Sequence, residues 1–306
     1  DFENSALALT AGFSPTDSWE SRLMVGHAVD DLEQNQSPDF LDTERYTLDW
    51  QNDFALTERH SLTAGLLWQD EEADAESFGL PYDATTTSRQ LYLQDQATFG
   101  AHRLLLAAGY TDHETFGGHT TWNAEYSIAI GDRALVTFAA GTAFRAPDAT
   151  DLYGFGSNPD LAAEESQSYE ISYRRRIGEH QSFTLTAFRN DIDELIQFVV
   201  TDPETFEGEN QNVERARIDG LEAGWRYDGE AWSARASARM RRTSEKPLEC
   251  GPLDARPSRT SPSRIRLPSM AFDFSTTPTA KPARSYSPGT NASGCSAVSP
   301  PISAQP

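Results

Sequence analysis

The first 240 residues contain no lysine, and their 16 arginines stand against 43 aspartates and glutamates. The chain of 306 residues carries a formal net charge of −22. A surface that binds nucleic acid needs clustered Lys and Arg to meet the phosphates. The charge therefore excludes nucleic acid as a partner.

Long apolar runs are also missing. No window holds the roughly 18 apolar residues that a transmembrane helix needs, and the longest apolar stretch, Leu104–Tyr110, has the length of a strand. A helical membrane protein is therefore excluded. The residues after Asp1 lack the basic start and apolar core of a signal peptide. We expect the chain to be mature or to begin inside a longer protein.

Cysteine is nearly absent. Cys250 and Cys295 are the only two, and neither belongs to a CxxC or Cys/His spacing. The sequence thus offers no zinc site of the usual kind. Outside the cytoplasm the two thiols could pair, or they have no role.

What the chain does contain is alternation of apolar and polar residues. Tyr46, Leu48 and Trp50 alternate with Thr47 and Asp49, which predicts a strand with one apolar and one polar face. A transmembrane barrel would turn the apolar face to lipid. A soluble sandwich would give the same alternation with the faces reversed.

Connections of two lengths separate these segments. Short turns recur at 57–60, 100–102, 131–133, 178–180 and 228–230, and longer polar connections lie near 30–43, 70–87, 148–165 and 201–212. Alternating short and long links are typical of outer-membrane barrels, whereas the connections of a sandwich do not sort in this way. We predict an all-β, antiparallel up-and-down transmembrane β-barrel fragment of about twelve strands between Asn4 and Arg242.

One segment adds a family resemblance. Residues 141–165 read GTAFRAPDATDLYGFGSNPDLAAEE, and the segments FRNDIDELI at 188–196 and ARIDGLEA at 216–223 follow in order. Together they resemble the barrel of TonB-dependent outer-membrane receptors, nearest to the vitamin B12 transporter group. Barrels of that family have about twenty-two strands around a plug, so the resemblance covers roughly half a barrel.

The resemblance implies an active transporter or receptor, not an enzyme. We expect a large scarce ligand, such as cobalamin or an iron chelate (a siderophore or haem), and a place in the outer membrane of a Gram-negative bacterium. The expected partners are outer-membrane lipid, the small-molecule ligand and the TonB complex, the last through a plug domain absent from this chain. The alternatives are an outer-membrane barrel enzyme, a passive porin or a soluble extracellular β-sandwich that binds ligands. An enzyme would need a Ser/His or Asp/His set, and no histidine here lies in such a motif.

The resemblance places ligand contacts in the outer loop that follows the strand ending at Arg145. The candidate ligand-binding residues are Arg145, Asp148, Asp151, Tyr153 and Asn158. The alternative is that this loop is only shaped by its Pro, Gly and Asn residues, with Tyr153 packed on its neighbours.

Two clusters have the composition of metal sites. One comprises Asp112, His113, Glu114 and His119, and the other is the acidic run Asp70, Glu71, Glu72, Asp74 and Glu76, which has the oxygen ligands that calcium prefers. A solvated loop accounts for each cluster without any metal, and we favour that interpretation for both. We predict no catalytic residues, no metal site and no cofactor; calcium in the outer loops has no residue match to support it.

The chain changes character near its C-terminal end. Residues 243–306 hold 11 of the 17 prolines and both cysteines. Such a segment lacks the apolar surface to offset the entropy of ordering. We therefore divide the chain into a partial barrel, 1–242, and a disordered Pro/Ser/Arg-rich tail, 243–306. Our hypothesis for the tail is translation out of frame, and the alternative is a genuine flexible extension.

Overall fold

The computed structural model describes residues 1–35, 37–202, 204, 207–230, 232–246 and 264–275. They form one antiparallel sheet of thirteen strands in which each strand pairs with the next along the chain. This confirms the all-β, up-and-down fold class. Among the described residues the one helix is α1 (Ala149–Tyr153). The strands are β1 (Phe2–Thr16), β2 (Trp19–Glu33), β3 (Phe40–Thr57), β4 (His60–Ser77), β5 (Leu80–Phe99), β6 (His102–His113), β7 (Gly117–Ile130), β8 (Ala134–Arg145), β9 (Glu164–Ile177), β10 (Gln181–Asp202), β11 (Glu207–Asp228), β12 (Ser233–Lys246) and β13 (Arg264–Ser275).

The sheet has an apolar face and a polar face. Trp50 lies directly opposite Leu66, and Leu66 lies opposite Leu91, so all three side chains project from one face. These side chains are 43%, 43% and 56% exposed. In a sandwich they would be buried against a second sheet. An exposed apolar face is instead what lipid contact requires.

Near one end of the apolar face, two indoles cover buried polar groups. Trp50 Nε1 donates to Ser21 Oγ at 3.0 Å, and Trp19 Nε1 donates to Asn52 Oδ1 at 3.1 Å. Ser21 and Asn52 are buried beneath them. Tryptophan with a satisfied N–H is the usual residue at a boundary between apolar and aqueous surroundings, and this cluster lies at one edge of the exposed apolar band.

The five predicted short turns lie together at one end of the sheet, which we call the turn end. Three of them open with a glycine in the left-handed region, Gly100, Gly131 and Gly178, at φ between 58° and 66°. L-residues with side chains adopt this conformation at a cost. Here the sequence prediction is confirmed.

The opposite end, which we call the rim, differs from the prediction. The predicted long connection at 70–87 is a continuous hairpin, because β4 runs to Ser77 and β5 begins at Leu80. The predicted connection at 201–212 lies largely in β10 and β11. Strand pairing satisfies the backbone N–H and C=O groups of a polar segment as well as those of an apolar one. The sequence prediction therefore took polar strands that extend beyond the exposed apolar band for loops.

Strands continue past the predicted boundary at residue 242, and the division of the chain there stays a prediction. β12 continues to Lys246, and the tail contains β13, which pairs antiparallel with β12. Met270, Phe272 and Phe274 recur at every second position of β13, a strand period that the composition of the whole tail conceals. The remainder of 243–306, with both cysteines, lies outside the described residues. Within the described residues, β1 and β13 each pair on one side only.

Candidate ligand-binding site

The segment between β8 and β9, residues 146–163, folds across the polar face at the rim; we call it the strap. It contains α1, whose N-terminus is capped reciprocally. The backbone N–H of Asp151 donates to Asp148 Oδ1 at 2.8 Å, and the backbone N–H of Asp148 donates to Asp151 Oδ2 at 3.2 Å. This capping box gives a helix of one turn a fixed start.

Arg145 ties the start of the strap to its end. Its guanidinium lies 3.0 Å from Asp151 Oδ2, 3.1 Å from Glu164 Oε1 and 3.5 Å from Asp148 Oδ2. Glu164 Oε1 also accepts from the backbone N–H of Ile196 at 2.8 Å, which joins the network to β10. Partial burial lowers the pKa of Arg145, but Glu164 and Asp151 outweigh it and the net pKa is raised. The guanidinium thus stays charged and occupied by the protein's own carboxylates.

Asparagines attach the strap to the β10–β11 hairpin. Asn158 Nδ2 donates to the backbone oxygen of Asn210 at 3.1 Å, and the backbone N–H of Asn210 donates to Gly156 O at 2.6 Å. Asn212 bonds both backbone groups of Ala162, at 2.8 and 2.9 Å. These bonds satisfy strap backbone groups that no sheet ladder reaches.

On the other side the strap touches the β4–β5 hairpin. Tyr82 Oη lies 3.0 Å from Thr150 Oγ1, and the backbone N–H of Phe155 donates to Ser77 Oγ at 3.3 Å. The strap therefore spans the rim between two hairpins that are far apart in strand order. It holds both hairpins at fixed positions above the polar face.

Five aromatic rings gather where the strap meets these hairpins, and we call them the rim aromatic patch. The ring of Phe155 lies 4.5 Å from that of Phe78 and 6.2 Å from that of Phe198. Tyr82 and Tyr153 are 6.4 Å apart. Phe78 is 71% exposed, and Tyr153, Phe155 and Phe198 are 44–46% exposed. Exposed rings held on a rigid support are suited to packing against a large ligand.

The five predicted site residues all lie on the strap or at its base, and the structure brings them to one place. Arg145, Asp148 and Asp151 bond one another, and Asn158 bonds β11, so these four hold the strap in shape. Tyr153 presents its ring in the rim aromatic patch. Their role in ligand binding stays a prediction.

The other rings of the patch were not predicted. Phe78 and Tyr82 come from one hairpin and Phe198 from another, and only the register of the sheet places them beside Phe155. A local signal exists at Phe78, which precedes Gly79 at the hairpin tip. That signal predicts a turn, not a contact across the rim.

The two clusters with the composition of metal sites, around His113 and along Asp70–Glu76, do not bring their side chains together around one point. Four of the five acidic residues of β4 (Asp70, Glu72, Asp74 and Glu76) share one face of the strand. Glu71 projects from the opposite, polar face, where Arg45 binds it. His119 stacks on Phe144 at 3.8 Å and lies 3.3 Å from Glu165. Within the part of the chain that the structure describes, no group of three His, Cys, Asp or Glu side chains is arranged to hold a metal ion.

Comparison with known proteins gives a consistent result. The family model described as "TonB dependent receptor-like, beta-barrel" matches residues 1–288. The vitamin B12 transporter BtuB of Photobacterium profundum is 30% identical over 225 residues, which are 71% of this chain and 36% of the relative. In the described ranges no helix has the length and apolar character needed to cross a membrane.

Solved structures agree on the fold. The siderophore receptor PirA of Pseudomonas aeruginosa matches with a TM-score of 0.68 and 21% identity, over 80% of this chain and 48% of that one. The FrpB iron transporter of Neisseria meningitidis (F5-1 variant, apoprotein) matches with a TM-score of 0.61 and 13% identity, over 79% of this chain and 44% of that one. The chain thus spans between about a third and a half of the proteins it matches.

Proposed function

Because the chain belongs to the TonB-dependent receptor-like β-barrel family, we propose that it is part of an outer-membrane receptor that actively imports a large, scarce ligand. The chemical classes we propose are a cobalamin or an iron chelate such as a siderophore or haem. The energy would come from the TonB complex, acting through a plug domain in another part of the protein. No covalent chemistry is needed for this activity, and we propose that the chain is not an enzyme.

The observation that carries this proposal is the rim aromatic patch on the polar face of a sheet whose apolar face is exposed. The exposed apolar face suits outer-membrane lipid, and the patch lies at the end where polar hairpins rise above the band of apolar side chains. The corrin of cobalamin, the porphyrin of haem and the catechol rings of many siderophores present flat, partly apolar surfaces. Tyr153 and Phe155 would pack against such a ligand, and the patch offers them a surface of fixed shape.

The strap gives the other predicted residues a role in this function. Arg145, Asp148 and Asp151 fix the start of α1, and Asn158 fixes its far side to β11. We assign them the positioning of Tyr153 and Phe155. A binding surface whose geometry is set before the ligand arrives loses less entropy on binding.

The test compares two exposed tyrosines in the full-length protein on whole cells. Tyr153→Ala removes a ring that is 46% exposed in the patch, and Tyr169→Ala removes one that is 45% exposed on the apolar face. We expect Tyr153→Ala to weaken binding of radiolabelled cyanocobalamin or a ferric siderophore by about tenfold, from one lost aromatic contact. Tyr169→Ala should leave the affinity unchanged. Equal effects of the two variants, or no binding of either ligand class to the wild type, would contradict the proposal.

A further inference from the structure

A groove of about 520 Å³ lies on the apolar face of β2–β6, on the opposite side of the sheet from the strap. Trp50, Leu66 and Leu91 line it in one row, since each lies opposite the next across the strands. All three side chains are exposed. Among the described residues that line the groove, none belongs to the strap or to the rim aromatic patch. The groove is therefore distinct from the site described above.

The rim end of the groove carries one charge of each sign. Arg89 of β5 and Asp112 of β6 both line it, and they lie directly opposite each other in the register. Both project from the apolar face, because Arg89 is two positions from Leu91 along β5. The next row toward the rim contains Thr87, whose hydroxyl donates to Asp70 Oδ2 at 2.8 Å. Arg89 therefore lies where the apolar rows end and the polar rows begin.

Arg89 has no ionic partner, although an aspartate lies opposite it. Neither Arg89 nor Asp112 forms an ion pair with any residue that the structure describes. Arg189 holds the corresponding place on β10, two positions rimward of Ala187, and its Nε lies 2.7 Å from Oδ1 of the opposite Asp219. An Arg–Asp pair can thus form at this boundary. In the groove, the two side chains instead line the opening and leave it accessible.

An unpaired guanidinium beside apolar side chains suits an anion that carries its own apolar chain. The N–H groups of arginine form a planar fork that matches a phosphate. Asp112 repels a bare phosphate, so a matching headgroup must also bring hydroxyl or amide N–H donors for that carboxylate. Trp68 lies opposite Arg89 on its other side, and indoles favour the boundary between acyl chains and headgroups. These features together match a phosphorylated sugar that carries acyl chains.

We propose that the groove binds lipid A, the phosphorylated and acylated disaccharide in the outer leaflet of the outer membrane. One phosphate binds the Arg89 guanidinium, and the sugar hydroxyl or amide groups beside it donate to Asp112. One acyl chain lies in the groove along Trp50, Leu66 and Leu91. In barrels of this kind the end with the longer connections faces the cell exterior, which is the side where lipid A occurs. The inference rests on the proposed function, because it needs the apolar face to lie in the outer membrane.

The test measures lipid binding to the full-length protein in detergent by native mass spectrometry. The probes are diphosphorylated lipid A, the same lipid with both phosphates removed, and phosphatidylethanolamine. We expect saturable binding of lipid A to the wild type and about tenfold weaker binding of the dephosphorylated lipid, from the loss of one charge-assisted contact. Phosphatidylethanolamine has a phosphate but no sugar, so it should also bind more weakly than lipid A.

Three variants assign the contacts. Arg89→Gln should bind lipid A about tenfold more weakly and should no longer distinguish it from the dephosphorylated form. Arg189→Gln is the matched control, because it removes a guanidinium from the same face that already has a partner, and it should keep the full preference. Leu91→Trp fills the groove with a larger side chain, so it should weaken binding of both forms of lipid A equally. Circular dichroism of each variant shows whether the barrel has folded.

Three results would overturn the proposal. The first is no saturable binding of lipid A to the folded wild type. The second is an Arg89→Gln variant that keeps the phosphate preference, or loses no more of it than Arg189→Gln does. The third is binding of phosphatidylethanolamine as tight as that of lipid A, which would assign the groove to a phospholipid.

Membrane fractionation separates these failures from failure of the proposed function. If the wild type is absent from the outer membrane, the proposed function itself is wrong. If the wild type is in the outer membrane and Arg89→Gln binds lipid A unchanged, only the lipid site is wrong.

Discussion

The rim ends of β2–β5 and of β10–β11 carry similar numbers of charges on the same face but arrange them in opposite ways. In β2–β5, four aspartates form one row, since each lies opposite the next across the strands. They are Asp31, Asp42, Asp74 and Asp83. Like charges directly opposite each other destabilise a strand pair. The pKa of Asp42 is raised by burial and by the charges of Asp31 and Asp74.

The β10–β11 hairpin instead carries cross-strand pairs of opposite charge. Three guanidinium–carboxylate pairs form a ladder, each with Nε to Oδ1 at 2.6–2.7 Å: Arg189–Asp219, Arg217–Asp191 and Arg215–Asp193. Cross-strand pairs of this kind favour the register they occur in. The ladder therefore supports the register of this long hairpin below Phe198 and Asn210, which contact the strap.

Two hairpins of similar composition therefore differ in support: one is stabilised by its own cross-strand pairs, and the other depends on contacts with its neighbours. The β4–β5 hairpin holds its position through contacts at its tip, where the backbone N–H of Phe78 donates to Asp39 Oδ1 at 2.8 Å and Phe155 packs on the Phe78 ring. The β10–β11 hairpin has support along its length. We expect the two to respond oppositely to changes of charge.

Reversing the ladder should have the largest effect. Arg215→Asp combined with Arg217→Asp removes two ion pairs and places two pairs of like charge opposite each other across the strands. We expect amide hydrogen exchange at Phe198 and Asn210 to become about tenfold faster, from two lost pairs and two repulsions. Exchange measured by mass spectrometry in detergent reports this directly.

The charge-swapped variant is the control for the ladder. Adding Asp191→Arg and Asp193→Arg restores both pairs with the charges exchanged, and exchange should return to the wild-type rate. Because salt screens exposed charges, about 0.5 M NaCl should slow exchange in the double variant. An unchanged rate in the double variant would show that the strap alone holds the hairpin.

A smaller effect of opposite sign is expected from the aspartate row. The pKa of Asp42 is raised above its ordinary value of 3.8, so the folded rim favours the protonated form. Protonation of Asp42 thus stabilises the folded rim. This stabilisation is fully present when the pH is below 3.8, and it is lost as the pH rises through the raised pKa of Asp42. We expect Asp42→Asn to slow hydrogen exchange at Thr43 by about threefold at neutral pH, from one repulsion removed.

The pH dependence separates this effect from a general one. At about pH 3, where the wild-type carboxyl is protonated, Asp42→Asn and wild type should exchange alike after correction for the intrinsic rate. Slower exchange in the variant at both pH values would mean that charge repulsion is not the cause.

Much of the fold could be predicted from period-two alternation and link length, because both survive in a single sequence. The turn end was predicted correctly at all five links, since Gly100, Gly131 and Gly178 mark turns by their own conformation. The rim was not, because Asp70–Glu76 is equally polar as a loop and as a strand. Only pairing with β3 and β5, which no local pattern encodes, decides between the two.

The candidate site shows the same limit. The strap was located because its sequence resembles a known family, and Arg145 and Tyr153 lie within that resemblance. Phe78 and Phe198 come from hairpins far apart in the sequence, so their meeting at Phe155 depends on the full register.

The smallest effect is expected at the β6–β7 tip, which lies between the two charged regions in strand order and beyond the exposed apolar band. The backbone N–H groups of Thr115 and Phe116 lie 3.3 and 3.4 Å from His113 Nδ1, so the neutral ring accepts from the turn. Burial lowers the pKa of His113, and His119 lowers it further against the opposing charge of Glu114. Because the pKa is lowered, the folded turn favours the neutral ring. This stabilisation of the turn is fully present when the pH is above the ordinary histidine pKa of 6.5, and it is lost as the pH falls through the lowered pKa.

Hydrogen exchange at Phe116, corrected for its intrinsic rate, should therefore rise about twofold between about pH 7 and pH 5. His113→Asn keeps an acceptor that does not titrate, so its exchange should stay flat over the same range, and a rise of equal size in that variant would place the pH response elsewhere in the rim.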